Sequence, residues 1–253
     1  DAYVFGSPVE GKSGKAIGQL DALAKCDAAI LIAHEIAHMW FGNLVTLAWW
    51  DDLWLNESFS DWIGIKFAAH HLNLPQCGAL ARQDSLLNDE AQRPLQRNIA
   101  SYADVESYGQ IVYEKGYAVL HMLESYLGET TFQRIIQQYL NAHLDDTVVA
   151  KDFFQLLDKE NALVGDMARG FVQQSAYPLV TLAPQNNQWV LSQTPILHTE
   201  QNTKHTKQTT QHTEQKAKAR AQHSVQQRQK EQQGQQSRQW VIPITLRLQG
   251  KTH

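Results

Sequence analysis

Apolar positions crowd one early stretch of the chain and then thin into helical stripes. Residues 28–41, "AAILIAHEIAHMWF", are apolar almost throughout, and the run from Leu20 to Phe41 predicts a helix buried on most sides. Asp21 is placed to cap its start, and Gly42-Asn43 to stop it. The stretch "NLVTLAWWDDLWL" reads as a short connection, followed by a second helix from Leu55 to His71, with Pro75 breaking the pattern. Residues 76–105 are polar with weak periodicity. A third helix fits Val112 to Leu127 and ends at Gly128. Shorter amphipathic helices fit Thr131–His143, Lys151–Asn161 and Val164–Gln174. After Pro178 the character changes: "LVTLA", "QWVLSQ" and "WVIPITLRL" read as strands. Residues 198–238 interrupt them with a Gln-rich run whose one aliphatic residue larger than Ala is Val225. Such a run cannot bury enough surface to offset its ordering entropy, so it predicts a disordered or loosely helical insertion.

Composition changes this picture in a few places. With 253 residues and 43% hydrophobic content, the chain can form one large domain or two small ones. The formal net charge of −4 hides an asymmetry. Residues 200–238 hold eight Lys/Arg against three Asp/Glu, a surplus of five positive charges that leaves nine net negative charges elsewhere. No aromatics interleave the basic insertion, so it reads as a solvated linker, and no nucleic-acid partner is expected. Its histidines, His205, His212 and His223, have no recognised metal spacing. No apolar run reaches the roughly 18 residues of a membrane span, and no signal peptide is visible. A cytoplasmic location is the expectation, and a first residue of Asp1 suggests a fragment or a processed product. Cys26 and Cys77 are too few for a disulfide framework and are expected as buried or free thiols.

The polar residues inside the first helix carry the chemistry. His34 and His38 stand at i and i+4, one above the other on one face, where two imidazoles can reach one metal ion. Glu35 lies about 100° round the helix, within reach of a water on that metal. Average residue usage produces HExxH by chance on the order of once in a hundred chains of this length, and somewhat more often in a His-rich one. The apolar surroundings decide between the readings: buried polar groups need partners, and a cation would satisfy all three. A third ligand is offered by Glu57 in "WLNESFSDW", nineteen residues beyond His38 on the second predicted helix. Two His and one Glu with an open fourth position make a catalytic zinc set, unlike the closed Cys-rich structural sites. Asp61, one turn after Glu57, is either an acceptor for the second N–H of a ligand imidazole or a solvated surface acid.

The segment "HEIAHMWFGNLVTLAWWDDLWLNESFSDW" closely resembles the zinc aminopeptidases of the aminopeptidase N family, which belong to the gluzincins. HExxH, eighteen residues and then the Glu of an NE pair is that family's signature, and the WFGNLVT and WWDDLWLNE segments match almost residue by residue. The resemblance implies one Zn2+ held by His34, His38 and Glu57, with Glu35 as general base. "VYEKGYAVLHML" resembles the family's segment with a catalytic tyrosine before Lys-Gly, which implies Tyr113 as the oxyanion donor; alone, Tyr113 would read as a core aromatic at a helix start. "DFFQLLDKENALVGDMARGFVQQSAYPLVTL" resembles the end of the catalytic domain running into a small β-sandwich. The likeness covers roughly residues 20–197 and 239–249.

These readings imply a mainly α chain: a thermolysin-like helical catalytic subdomain over 1–177, then a β-sandwich-like module over 178–253 carrying the insertion. The implied function is zinc-dependent hydrolysis of peptides with a free N-terminus, with Glu57 also helping to hold the α-amine. Departures matter as well. The family's Gly-Ala-Met-Glu-Asn stretch, whose glutamate holds the substrate α-amine, has no counterpart in residues 1–33. The chain is therefore expected to be a catalytic core lacking its upstream half, weakly active and oligomeric or marginally stable alone. Two other readings stay open: a catalytically impaired relative acting as an interaction scaffold, and a relative that also hydrolyses an epoxide.

Overall fold

The computed structural model describes residues 22–71, 93–186, 188–195 and 239–244. Its elements in chain order are α1 (Ala22–Ala37), β1 (Val45–Leu47), a 3-10 turn (Trp50–Asp52), α2 (Trp54–His71), α3 (Tyr102–Glu106), α4 (Ile111–Leu127), α5 (Glu129–Ala142), β2 (Asp146–Val148), α6 (Ala150–Glu160), α7 (Ala162–Gln173), β3 (Pro178–Gln185) and β4 (Gln188–Pro195). The fold is mainly helical. Two compact units divide it, one reaching to Ser175 and including 241–244, the other running from Ala176 to Trp240.

In the first unit the helices bury their predicted faces. α5 turns Phe132, Ile135, Ile136 and Tyr139 inward, α6 contributes Phe153, Phe154 and Leu157, and α7 adds Val164, Met167, Ala168, Phe171 and Val172. These spacings follow the 3.6-residue period of an amphipathic helix. An aromatic cluster joins the layers. Phe41 stacks on Phe59 with ring centroids 4.8 Å apart, and Phe59 meets Phe153 edge-on at 5.1 Å. Phe41 thereby anchors the end of α1 in the core.

α1 departs from expectation in two ways. It stops at Ala37 rather than Phe41, and the chain then turns through Gly42, whose φ of 140° suits a residue without Cβ. Nor is it buried on most sides. Cys26, Ala33, His34 and Ala37 face inward, but Leu31, Ile32, Ile36, Met39 and Trp40 are exposed. The expected cap, Asp21, lies outside the described residues. Cys26 is buried, as expected, but it is disulfide-bonded, which corrects the free-thiol reading for this residue; Cys77 lies outside the described residues.

The stretch read as a mere connection is held at several points. β1 pairs in parallel with β2, with Val45 opposite Asp146 and Leu47 opposite Val148. The buried Asp52 carboxylate accepts from Gln96 Nε2 at 2.7 Å and from the Ala150 backbone N–H at 2.9 Å, so it ties this turn to the start of α6. Asp51 Oδ1 accepts from the Ile99 N–H at 2.7 Å, and the Tyr108 hydroxyl donates to the Trp50 and Asp51 carbonyls. Three-residue strands and the short α3 carry too little pattern to be seen in the sequence. α3 itself is set by a capping box between Ser101 and Asp104.

In the second unit β3 and β4 form an antiparallel hairpin, Pro178 opposite Pro195 and Gln185 opposite Gln188. Gln193 clasps the backbone of Trp240: its Oε1 accepts from the Trp240 N–H at 2.9 Å, and its Nε2 donates to the Trp240 carbonyl at 3.1 Å. Residues 240–244, the described part of the third expected strand, take no regular form. The hairpin is the sheet structure among the described residues of this unit, and the expected insertion lies outside them. No helix among the described residues is long and apolar enough to cross a membrane.

Candidate active site

α1 and α2 bring His34, His38 and Glu57 together. One ligand atom from each lies within 4.8 Å of the others, a spacing open to a shared metal ion. His34 Nε2 and His38 Nε2 are 3.0 Å apart, and Glu57 Oε2 stands 3.4 Å from the first and 3.6 Å from the second. Among the described residues this is the one group of three such donors.

The outer nitrogens of both imidazoles have partners that aim the inner ones. His38 Nδ1–H donates to the Phe41 carbonyl at 3.0 Å, with Ser60 Oγ 3.1 Å from the same nitrogen. A carbonyl only accepts, so the proton belongs on Nδ1 and the Nε2 lone pair is left for a cation. His34 Nδ1 faces Asp61 Oδ1 at 3.8 Å, an ion-pair distance rather than a direct hydrogen bond. Donors of this type, number and orientation fit zinc. The Ser60 contact was not anticipated. Its one signal in the sequence is a small polar residue inside a helix that is otherwise largely apolar.

Tyr113, on the first turn of α4, completes the cluster. Its hydroxyl lies close enough to the Glu57 carboxylate for the two groups to interact, and its ring centroid lies 5.8 Å from that of His34. Burial, and then the negative charge of Glu57, push its phenol up to about 12, so it stays protonated and able to donate at neutral pH. For Glu57, burial opposes the charged form. The adjacent His34 and His38 imidazoles and the Tyr113 hydroxyl outweigh it and hold the carboxyl below its ordinary value. Glu35 is exposed on the open side of α1, near enough to Tyr113 for its charge to act on the phenol.

The comparisons with known proteins cover this same region. The description "Peptidase family M1 domain" matches residues 20–173, which include every residue of the cluster. The chain belongs to peptidase family M1. "Probable aminopeptidase 2" of Sulfurisphaera tokodaii is 35% identical over 181 residues, 67% of this chain and 23% of that protein. "Tricorn protease-interacting factor F2" of Thermoplasma acidophilum is 34% identical over 184 residues, 68% of this chain and 23% of its own length. "Aminopeptidase M1-B" of Oryza sativa subsp. japonica is 32% identical over 166 residues, 62% of this chain and 19% of that protein. The M1 chain described above thus spans about a fifth to a quarter of the length of these relatives.

Proposed function

We propose that this M1 chain carries the metal-binding and proton-transferring part of a zinc aminopeptidase acting on peptides with a free N-terminus. The observation that carries the reading is the convergence of His34, His38 and Glu57 donor atoms within 4.8 Å, beside the Tyr113 hydroxyl. Zinc, when bound there, would supply a Lewis acid for the scissile carbonyl and lower the pKa of its water. Glu35, on the open side of the helix, takes the proton from the attacking water and delivers it to the leaving amine. Tyr113, protonated at neutral pH, donates to the oxyanion as charge develops. Asp61 and the Phe41 carbonyl hold the two imidazoles by their outer nitrogens. Glu57 also offers negative charge to the substrate α-ammonium. We further assign the β3–β4 hairpin to the edge of a β-sandwich module.

Metal analysis combined with hydrolysis of an aminoacyl-amide tests the reading. About one zinc per chain is expected, with turnover abolished by a chelator and restored by zinc, and with metal lost in His38→Ala. Full zinc occupancy in His38→Ala would overturn the ligand assignment.

A further inference from the structure

The Lys-Gly that follows the tyrosine, and a glycine inside α2, have no part in the chemistry above, yet both lie where helices touch. Gly64 packs α2 against the turn of α1 that bears His34. A Cβ there would stand 2.8 Å from the Ile30 carbonyl oxygen, closer than real contacts allow, and 3.2 Å from the His34 nitrogen, a tight one. Gly116 packs α4 against α2. A Cβ there would overlap the Oγ and Cβ of Ser58, the residue after Glu57. Ser58 Oγ in turn donates to the Val112 carbonyl at 2.6 Å, one residue before Tyr113. Ser58 and Gly116 are both fully enclosed or nearly so.

We propose that these two glycine contacts divide the site into separately positioned halves: Gly64 sets His34 against Glu57, and Gly116, through Ser58, sets Tyr113 against the metal ligands. Gly64 and Gly116 are positioning residues; neither touches substrate. The inference rests on the zinc aminopeptidase reading above. The physical reason is the division of labour among helices. The three metal donors sit on α1 and α2 alone, whereas Tyr113 comes from α4. Close-packed interiors transmit a forced methyl as a shift of the helix that is freer to move. A methyl at the α2–α4 contact therefore displaces α4 and its tyrosine while the α1–α2 contact keeps the donors together. A methyl at the α1–α2 contact acts on the backbone of His34 itself. Misplacement of a catalytic group by about 1 Å can cost on the order of a hundredfold in rate.

Two readouts separate the halves in the purified chain: zinc affinity by chelator competition, and the ring NMR signal of Tyr113 in the zinc-loaded protein, assigned with Tyr113→Phe. Wherever the protein turns over an aminoacyl-amide, kcat and KM accompany them. Gly64→Ala is expected to weaken zinc at least about tenfold. Gly116→Ala is expected to leave zinc affinity within about twofold, displace the Tyr113 signal and lower kcat about tenfold or more with little change in KM. Combining Gly116→Ala with Ser58→Gly removes the overlapping atoms and leaves the new Cβ 3.4 Å from the Ser58 Cα, an ordinary contact. That double variant should return the Tyr113 signal to its position in Ser58→Gly alone, which lacks the same hydroxyl but keeps Gly116. Should Gly116→Ala fail to fold, Ser58→Ala carries the same test, since it frees the Val112 carbonyl without adding bulk; it should move the Tyr113 signal and spare zinc. An unmoved Tyr113 signal in these variants, equal zinc loss from both glycine substitutions, or no such return in the double variant overturns the division. Failure of the unmodified protein to bind zinc overturns the aminopeptidase reading instead, so the two failures are distinguishable.

Discussion

Two side chains around the candidate metal site differ most in what they can be asked to do. Glu35 is exposed on the open side of α1, while Tyr113 is half-buried beside Glu57. Glu35→Gln should therefore keep zinc, since the amide preserves size and Glu35 is no metal donor. Steady-state hydrolysis should fall by roughly two to four orders of magnitude, because an amide cannot accept the water's proton; retention of more than a tenth of the parent rate would remove Glu35 from the base role. Tyr113→Phe should lower kcat on the order of a hundredfold with little effect on KM, because in the proposed oxyanion role its hydroxyl acts mainly as charge develops. A change confined to KM would instead make it a ground-state binding group. At this scale the sequence was informative because metal-ligand chemistry would restrict residue type and spacing: His34, His38 and Glu57, singled out from HExxH and a distant glutamate, lie together. Ser60 and the Phe41 carbonyl were hidden because many residue types can present an acceptor to an imidazole, and a backbone oxygen leaves no mark on the sequence.

Each long helix of the first unit was legible from periodicity, with ends displaced by at most four residues. β1, β2 and α3 were not, since three to five residues hold no period. α4 holds an unusual passenger. Lys115 is fully buried, and its Nζ donates to the Arg93 carbonyl at 2.8 Å and the Gln174 carbonyl at 3.2 Å, binding the helix to two distant segments. Burial pushes its pKa down to about 7. An unfolded lysine titrates near 10.4, so between about pH 7 and 10 the unfolded chain holds the proton more tightly than the folded one. Stability should therefore rise with pH across that window, by up to about 1.4 kcal/mol per pH unit. Above it the trend should reverse, because buried Tyr108 and Tyr113, both pushed up to about 12, keep protons that the unfolded chain releases. Urea midpoints measured from pH 7 to 11 should show this maximum, and Lys115→Met should flatten the rising limb. A flat profile in the unmodified protein would mean that Lys115 is charged when folded.

Among the described residues, several large apolar side chains are exposed. Ile36 is 54% exposed, Met39 57% and Trp40 47%, all on or just after α1, and Trp189 of the hairpin is 69% exposed. Patches of this kind favour association. Light scattering should show a mass that grows with concentration in the purified chain, and Ile36→Lys with Met39→Lys should shift it toward the monomer; a concentration-independent monomer would count against the surface being sticky. The sequence made this helix look enclosed because an all-round apolar pattern states a demand for cover and not where the cover comes from. The parallel pairing of Val45 with Asp146 has a different kind of consequence. A hundred residues lie between them, so this short ladder, next to the end of α1, closes only after most of the first unit's chain has been gathered in. Long-range closures of this kind are entropically late events, whereas helices form from neighbouring residues. Refolding should show helical circular dichroism returning first and amide-exchange protection of the β1–β2 ladder lagging behind it, the join between the two ends of the unit being among the last parts of the molecule to exist.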